Sequence, residues 1–482
     1  MKKALYMLLS GALAFSSTAC DDDHAPDWEQ QSPFDVKLVS MSVENGATLP
    51  CNGSVIDFTY SAPIALSMQT PILLNDQPIA NQDKAATVVD GNILRLELPN
   101  LLENTDYTLV IPERVVAGVG SQTFAPEVKL SFVTPEGDIQ VSPFGTLINP
   151  NATAQAVNVY NFLVENHGKK IVSGAMANVS NNNDFASWIK AKTGKDVAFM
   201  CYDFIHLPQS GANWIDYNDI TPAETQWNAN GLVGYMWHWN VPTDEQAWLD
   251  KDYDRYGCRP PGSEEGATDF DIERALQEGT WEHEFILEDL AKVAAVFKKL
   301  QEKGIPVIWR PLHEAAGDYE YKNPWFWWGL KGGEATKQLW RLMYDQLVNV
   351  HGCNNLIWVW TAQYKSGYEA QMAADYPGNE WVDIIGTDIY AENDNSQVKA
   401  YNALYNMGEG KKLVTISETG LIQNPDKCFA DKAYWSWFNL WYTYNIHETG
   451  DDKDTFGNTT ESLKAVFDSP YVINRDAMPS LK

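Results

Sequence analysis

From about residue 145 to the C-terminus, short apolar runs alternate with stretches whose apolar residues recur at helical spacing. This alternation constrains the fold more than any other feature, because strands that alternate with helices pair in parallel through crossovers. The candidate strands are Ile171–Gly174, Val197–Tyr202, Leu232–Trp237, Pro306–Pro311, Leu356–Trp360, Val382–Thr387, Leu413–Ser417 and Trp437–Trp441. Between the third and fourth, Leu287, Leu290, Ala294 and Phe297 recur at helical spacing, and Gly304 with Pro306 ends the helix. Eight strands in a segment of this length predict a (β/α)8 TIM barrel over residues 145–482. The last two helices leave only a faint pattern.

Residues 34–136 follow a different grammar. Val36 to Val43, Ile56 to Tyr60, Ile93 to Leu98, Tyr107 to Ile111 and Val128 to Val133 are short β-branched runs, with turns at Asn52-Gly53 and Asp90-Gly91. They predict a small all-β sandwich. YTLVIPERVVAG followed by KLSFVT resembles the bacterial immunoglobulin-like domains that precede surface enzymes, which implies a spacer.

In a (β/α)8 barrel, chemistry gathers at the C-terminal ends of the strands. The residues expected there are Met176, Asp203, His238, His313, Glu314, Thr361, Asp388, Tyr390, Glu418 and Trp441. Two glutamates stand out: Glu314 closes the fourth apolar run and Glu418 the seventh. The fourth run continues as VIWRPLHEAAGDYEYKNPWFWWG, residues 307–329, with four aromatic residues just past the carboxyl. Two carboxyls on a rigid rim suit glycoside hydrolysis, and a gap of about 5–5.5 Å between them implies retention through a covalent intermediate. Glu314 then needs a raised pKa from burial and from the charge of Glu418, to protonate the leaving oxygen. Glu418 is the nucleophile, with Tyr390 and Arg310 as donors that favour its ionised form. His313 is placed to hydrogen-bond a sugar hydroxyl or the nucleophile, and the tryptophans are expected to wall sugar subsites.

WRPLHEAAG followed by WFWWG, with ISETG about a hundred residues later, resembles the family 26 glycoside hydrolases. These are mostly β-mannanases, retaining enzymes on a (β/α)8 barrel, and the likeness covers roughly residues 150–475. It implies that Glu314 is the acid/base, Glu418 the nucleophile, and Tyr390, in GTDIY, the tyrosine that hydrogen-bonds the nucleophile. It likewise implies that His313 and Trp325 serve substrate subsites, that His238, in MWHWN, lies on the glycone side, and that Trp441 is a ring-stacking floor. The sequence departs from the pattern at one place: Asp318 to Pro324 separate Gly317 from Trp325, where many members are shorter. The resemblance implies a retaining endo-β-1,4-mannanase acting on mannan, glucomannan or galactomannan. β-Glucanase, β-1,3-xylanase and a non-catalytic glycan-binding lipoprotein stay open as alternatives. The insertion 242–282, with Trp248 and Tyr256, is expected to wall a subsite.

Other chemistries find little support. The His313-Glu314 pair lacks the second histidine of a zincin, because position 317 is glycine. No GxSxG elbow or phosphate loop occurs, so neither metal nor cofactor is implied. A net charge of −29 repels nucleic acid and anionic lipid heads, and fits a neutral polysaccharide partner. The chain is expected to be monomeric.

Residues 1–19 read as a signal peptide: Lys2 and Lys3, an apolar stretch from Ala4 to Phe15, then Ser16 to Ala19. Cys20 follows, then Asp21, Asp22 and Asp23. This resembles a bacterial lipoprotein signal, with Ser17 where leucine is usual, and the acidic run resembles surface-export signals of Bacteroidetes lipoproteins. It implies acylation of Cys20, a tether over 20–33 and a lipid anchor in the outer membrane, on its cell-surface or periplasmic face. Cys51, Cys201, Cys258, Cys353 and Cys428 are scattered and odd in number, so buried free thiols are expected.

Overall fold

The computed structural model describes residues 36–51, 54–67, 70–79, 86–98, 101, 104–119, 123–135, 144–178, 181–320, 323–442 and 456–482. The leader, Cys20, the tether and the Asn52-Gly53 turn lie outside the described residues. The chain divides into two compact units, residues 1–140 and 141–482.

In the first unit the described strands form mostly antiparallel sheets, with Ala47–Thr48 parallel to the end of Val128–Val133. One orders Leu38–Met41, Val55–Tyr60, Ile93–Glu97 and Ala86–Val89. Another contains Asp106–Ile111 paired antiparallel with Val128–Val133. Side chains alternate as period-two strands demand: Ile56, Phe58 and Tyr60 join Leu94, Leu96, Leu109 and Leu130 in one buried cluster. Asp90 (φ 52°) and Gly91 (φ 78°) turn the 86–89 and 93–97 hairpin, using the positive φ that this residue pair tolerates.

The second unit holds the eight expected parallel strands: β1 (Ile171–Met176), β2 (Phe199–Asp203), β3 (Leu232–Met236), β4 (Val307–Arg310), β5 (Leu356–Ala362), β6 (Ile384–Ile389), β7 (Leu413–Thr419) and β8 (Trp437–Leu440). They pair in sequence, and β1 pairs with both β8 and β2, which closes the barrel. A short strand, Val472–Ile473, adds to the start of β1. Every residue of these eight strands is buried, which is why they read as continuous apolar runs instead of alternating ones. Pro306 and Pro311 fall just outside β4, since proline has no N–H to give to a ladder.

The helix expected between β3 and β4 spans Trp281–Glu302. The Thr280 side chain accepts from the His283 N–H at its start, and Phe285, Ile286, Leu290, Val293, Ala294 and Phe297 form its buried face. Burying each of the larger side chains contributes about 1.5–3 kcal/mol. The faint helices are short: Pro425–Ala430 follows β7 and Thr460–Phe467 follows β8. Cys201, Cys258, Cys353 and Cys428 are free thiols, and they and Cys51 are buried.

The tryptophans need a correction. Trp237, Trp239, Trp309, Trp327, Trp328, Trp340, Trp358, Trp435 and Trp437 are almost wholly buried, so indole here mainly fills the core. Trp327 and Trp328, expected as subsite walls, are among them. Trp327 donates Nε1–H to the Trp239 carbonyl (2.8 Å), and Trp328 donates to that of His313 (2.9 Å). Trp325 is half-buried.

Candidate active site

Glu314 does not sit on β4 itself. The chain leaves the strand at Arg310 and turns through Leu312 (φ 50°) and Glu314 (φ 51°), two residues in the left-handed region. Such a backbone costs a side-chain-bearing residue about 1 kcal/mol or more, and it persists where surrounding packing over-determines it. The turn leaves Glu314 8% exposed and its carboxyl close enough to Glu418 and Asp388 to interact with both.

Glu418 comes from β7, and a bulge sets its position. The β6–β7 register runs Thr387 opposite Ile416 and then Asp388 opposite Glu418, so Ser417 is the extra residue. Ser417 Oγ would lie 2.0 Å from a Cβ at Gly386, so β6 carries glycine there. With the bulge in place, Asp388 and Glu418 converge on one cation. Arg310 donates through Nη1 to Glu418 Oε1 (2.5 Å), through Nη2 to Asp388 Oδ2, and through Nε to Thr361 Oγ1 (2.9 Å). Thr361 donates onward to Ser417 Oγ (3.2 Å). Tyr390 lies just past β6, 45% exposed as a residue, with a hydroxyl that donates to Glu418 Oε2 (2.6 Å). Both oxygens of Glu418 therefore accept from fixed donors, as an ionised carboxylate requires.

The environment of Glu314 is the opposite one. Burial, then the negative charge of Glu418, raise its pKa from an ordinary 4.5 to about 7, against the pull of Arg310. Burial also holds Asp388 well above the carboxylate range, opposed by Arg310 and reinforced by Glu418 and Glu314. The Glu314 and Asp388 carboxyls also interact directly with each other. Glu314 is thus pushed toward its protonated form while Glu418 is held on both oxygens by Arg310 and Tyr390, an arrangement that suits an acid and a nucleophile.

A second group lies across the rim. Asp203, the last residue of β2, accepts from the His238 backbone N–H at Oδ1 (3.0 Å) and faces His238 Nδ1 from Oδ2 at 2.6 Å. Burial works against charge on His238, but Asp203 outweighs it and holds the imidazole above its ordinary pKa. His238 Nε2 stands 3.3 Å from His313 Nε2. His313 is 1% exposed, and burial, helped by Arg310 and His238, keeps it neutral with a pKa well below normal. Its ring therefore contacts His238, not Glu418. Trp441, half-buried at the end of β8, meets the edge of His238 with ring centroids 6.0 Å apart.

The structure brings Arg310, His313, Glu314, Tyr390, Glu418, His238 and Trp441 together. Among the described residues, Trp325 has no ring contact with this group. Phe326, its neighbour, takes that place: its ring is 5.5 Å from His238 and 5.1 Å from His313, and it stacks on Trp328 at 4.4 Å. The aromatic cluster was visible in sequence, but not which ring would turn to the histidines. Asp203, Asp388 and Thr361 were expected at strand ends and now have partners. The 242–282 insertion packs beside the site: the Cys258 carbonyl accepts from the Trp327 N–H (3.0 Å), and Phe270 meets the Trp327 ring at 4.9 Å.

Comparison with known proteins agrees with this geometry. A mannan endo-1,4-beta-mannosidase B of Piromyces sp is 36% identical over 345 residues, 70% of this chain and 54% of that protein. A mannan endo-1,4-beta-mannosidase of Thermothelomyces thermophilus is 34% identical over 339 residues, 69% of this chain and 63% of that protein. The chain thus spans a little over half the length of these curated relatives. The crystal structure of a beta-mannanase from a symbiotic protist of the termite Reticulitermes speratus, complexed with gluco-manno-oligosaccharide, is 34% identical, with a TM-score of 0.60 over 70% of this chain and 98% of that one. The family 26 domain of an endo-beta-mannanase/endo-beta-glucanase from Prevotella bryantii is 35% identical, with a TM-score of 0.61 over 69% of this chain and 99% of that one. The profile of Glycosyl hydrolase family 26 matches residues 148–477, the barrel with its two rim glutamates, and this chain belongs to that family.

Proposed function

We propose that the chain is a retaining endo-β-1,4-mannanase. One observation carries the reading: Glu418 is held by Arg310 and Tyr390 on both oxygens, while burial and Glu418 itself keep Glu314 protonated up to about pH 7. In the first step Glu418 attacks the anomeric carbon as Glu314 gives its proton to the glycosidic oxygen, so the leaving chain departs as an alcohol and a glycosyl ester forms on Glu418. In the second step Glu314 takes a proton from water, the water oxygen bonds to the anomeric carbon, and Glu418 leaves as a carboxylate. Arg310 and Tyr390 stabilise the charge on Glu418 at both ends of the cycle. His238, held by Asp203 and His313, lines the cleft beside the sugar, and Trp441 offers a ring to flank it.

The substrate class is supported by the names of the relatives, which are mannan endo-1,4-beta-mannosidases. The test is sugar release from glucomannan, galactomannan, lichenan and β-1,3-xylan, with the nascent anomer followed by NMR. Release from either mannan with a retained β-anomer is the expected result. No release from any mannan overturns the substrate, and an inverted product overturns the role of Glu418.

The proposal extends to the rest of the chain. The mostly antiparallel sheets of the first unit act as an immunoglobulin-like spacer, supported by the likeness of 107–118 and 129–134 to such domains. Cys20 is acylated and anchors the protein to an outer membrane, supported by Lys2, Lys3 and the apolar run before it. Metabolic labelling with a fatty-acid analogue tests this: a label lost in Cys20→Ser is expected, and an unlabelled parent protein in a bacterial host refutes it.

A further inference from the structure

The described residues between Gly317 and Trp325, Asp318–Glu320 and Asn323–Pro324, pair as the two arms of a small hairpin. Gly317 enters it at φ 59°, where a Cβ would lie 2.2 Å from the Asn323 carbonyl. Asp318 and Asn323 then exchange backbone hydrogen bonds of 3.2 and 3.3 Å. The hairpin is tied to the loop after β5. Tyr319 donates its hydroxyl to Asp375 Oδ2 (3.2 Å) and stacks on Tyr368, with centroids 6.4 Å apart and planes 24° from parallel. Glu320 pairs with Lys365 at 2.9 Å.

These two loops enclose a cavity of about 300 Å³. Ala315 and Ala316, directly after the acid Glu314, form one wall of it, and Thr361, which accepts from Arg310, forms another. The cavity therefore lies next to the turn that carries the acid, and the leaving chain departs on the oxygen that this acid protonates. Its back is the start of the Gly333–Tyr344 helix, where a Cβ at Gly333 would collide with Asp375 Oδ1 at 1.9 Å. A polymer could not thread through it. Its volume is at the lower end of the roughly 300–1,000 Å³ typical of small-molecule sites, a size for one sugar ring. The lining suits a sugar: two stacked tyrosines offer C–H contacts, Asp375 offers a carboxyl, and the buried Oε1 of Gln363 has no hydrogen-bond partner.

We propose that this cavity receives a single hexose branch carried by the leaving-group side of the backbone, such as the galactosyl unit of a galactomannan. The proposal rests on the mannanase reading, because a branch pocket needs a backbone in the cleft. Its recognition groups are Gln363, Tyr368 and Asp375.

The test compares kcat/KM on unbranched manno-oligosaccharides with that on the same oligosaccharides carrying one galactosyl branch on the leaving-group side. The proteins are the full chain, Gln363→Ala, Tyr368→Ala and the cavity-filling Ala316→Leu, with folding checked by circular dichroism. The expected result is a loss of about tenfold on the branched substrate, the value of one stacking or hydrogen-bonded contact, with the unbranched rate within about twofold of the parent. Gln363→Ala removes no packing across the hairpin, so it reports even if Tyr368→Ala fails to fold. Equal losses on both substrates, or no loss on either, overturn the pocket and leave the mannanase reading standing. A parent protein inactive on unbranched and branched substrates alike overturns both.

Discussion

Replacing Glu314 with glutamine should stabilise the barrel in a strongly pH-dependent way. Glu314 is 8% exposed, and burial and the charge of Glu418 raise its pKa from an ordinary 4.5 to about 7. That rise corresponds to about 3 kcal/mol, since a tenfold change in proton affinity is worth about 1.4 kcal/mol. The sign follows from linkage. The folded state holds this proton more tightly than the unfolded chain does. The stability the group contributes is thus fully present below about pH 4.5, is lost as pH climbs to about 7, and stays lost above that. Glutamine fills the same space and does not titrate. The variant's advantage should therefore grow from near zero at pH 4.5 to about 3 kcal/mol at pH 8. With an unfolding entropy of about 2.1 cal/mol/K per residue over roughly 340 residues, this is a Tm increase of about 4–5 °C. Tryptophan fluorescence reads the correct unit, because every tryptophan except Trp28 lies between Trp188 and Trp441. Melts of both proteins across this pH range give the answer. A Tm difference that stays constant with pH, or shrinks as pH rises, would refute the assignment of a buried, proton-holding Glu314.

Glu418→Ala should abolish sugar release while calorimetry still detects oligosaccharide binding; residual turnover at the parent rate would remove Glu418 from the chemistry. Tyr390→Phe deletes the donor at 2.6 Å from Glu418 Oε2, and kcat should fall on the order of 10- to 100-fold with KM little changed, as for a hydrogen bond to a charged group. Arg310→Met leaves Glu418 and Asp388 buried without their cation and should destabilise the barrel by about 3–5 kcal/mol in urea; a neutral effect would show that the carboxyls find other partners. Asp203→Asn removes the charge that keeps His238 protonated, so the imidazole should titrate at lower pH in an NMR titration, and an unchanged midpoint would contradict the 2.6 Å pairing.

The eight barrel strands were legible because each is buried on both faces and so is mostly apolar, a demand that acts residue by residue. Glu314, Glu418, Arg310 and Tyr390 were legible for a related reason: a polar residue that ends an apolar run has few places to go but the rim. Trp327 and Trp328 were misread, since indole suits a core and a sugar face equally well and composition does not say which neighbours arrive. The Ser417 bulge was invisible too. It depends on how β6 and β7 pair, and Ser417 and Gly386 are far apart in sequence.

What the sequence determined alone is the order of strands and helices, the two rim glutamates and the family to which they belong, because burial period and motif are local properties of the chain. Tertiary structure decided the rest. It set Asp388 beside Glu418 on Arg310, joined His238 to Asp203 and His313, turned Phe326 inward, and folded the extra hairpin over a cavity next to Glu314. Each of these is a contact between residues distant in sequence, and its geometry comes into being only when the barrel closes.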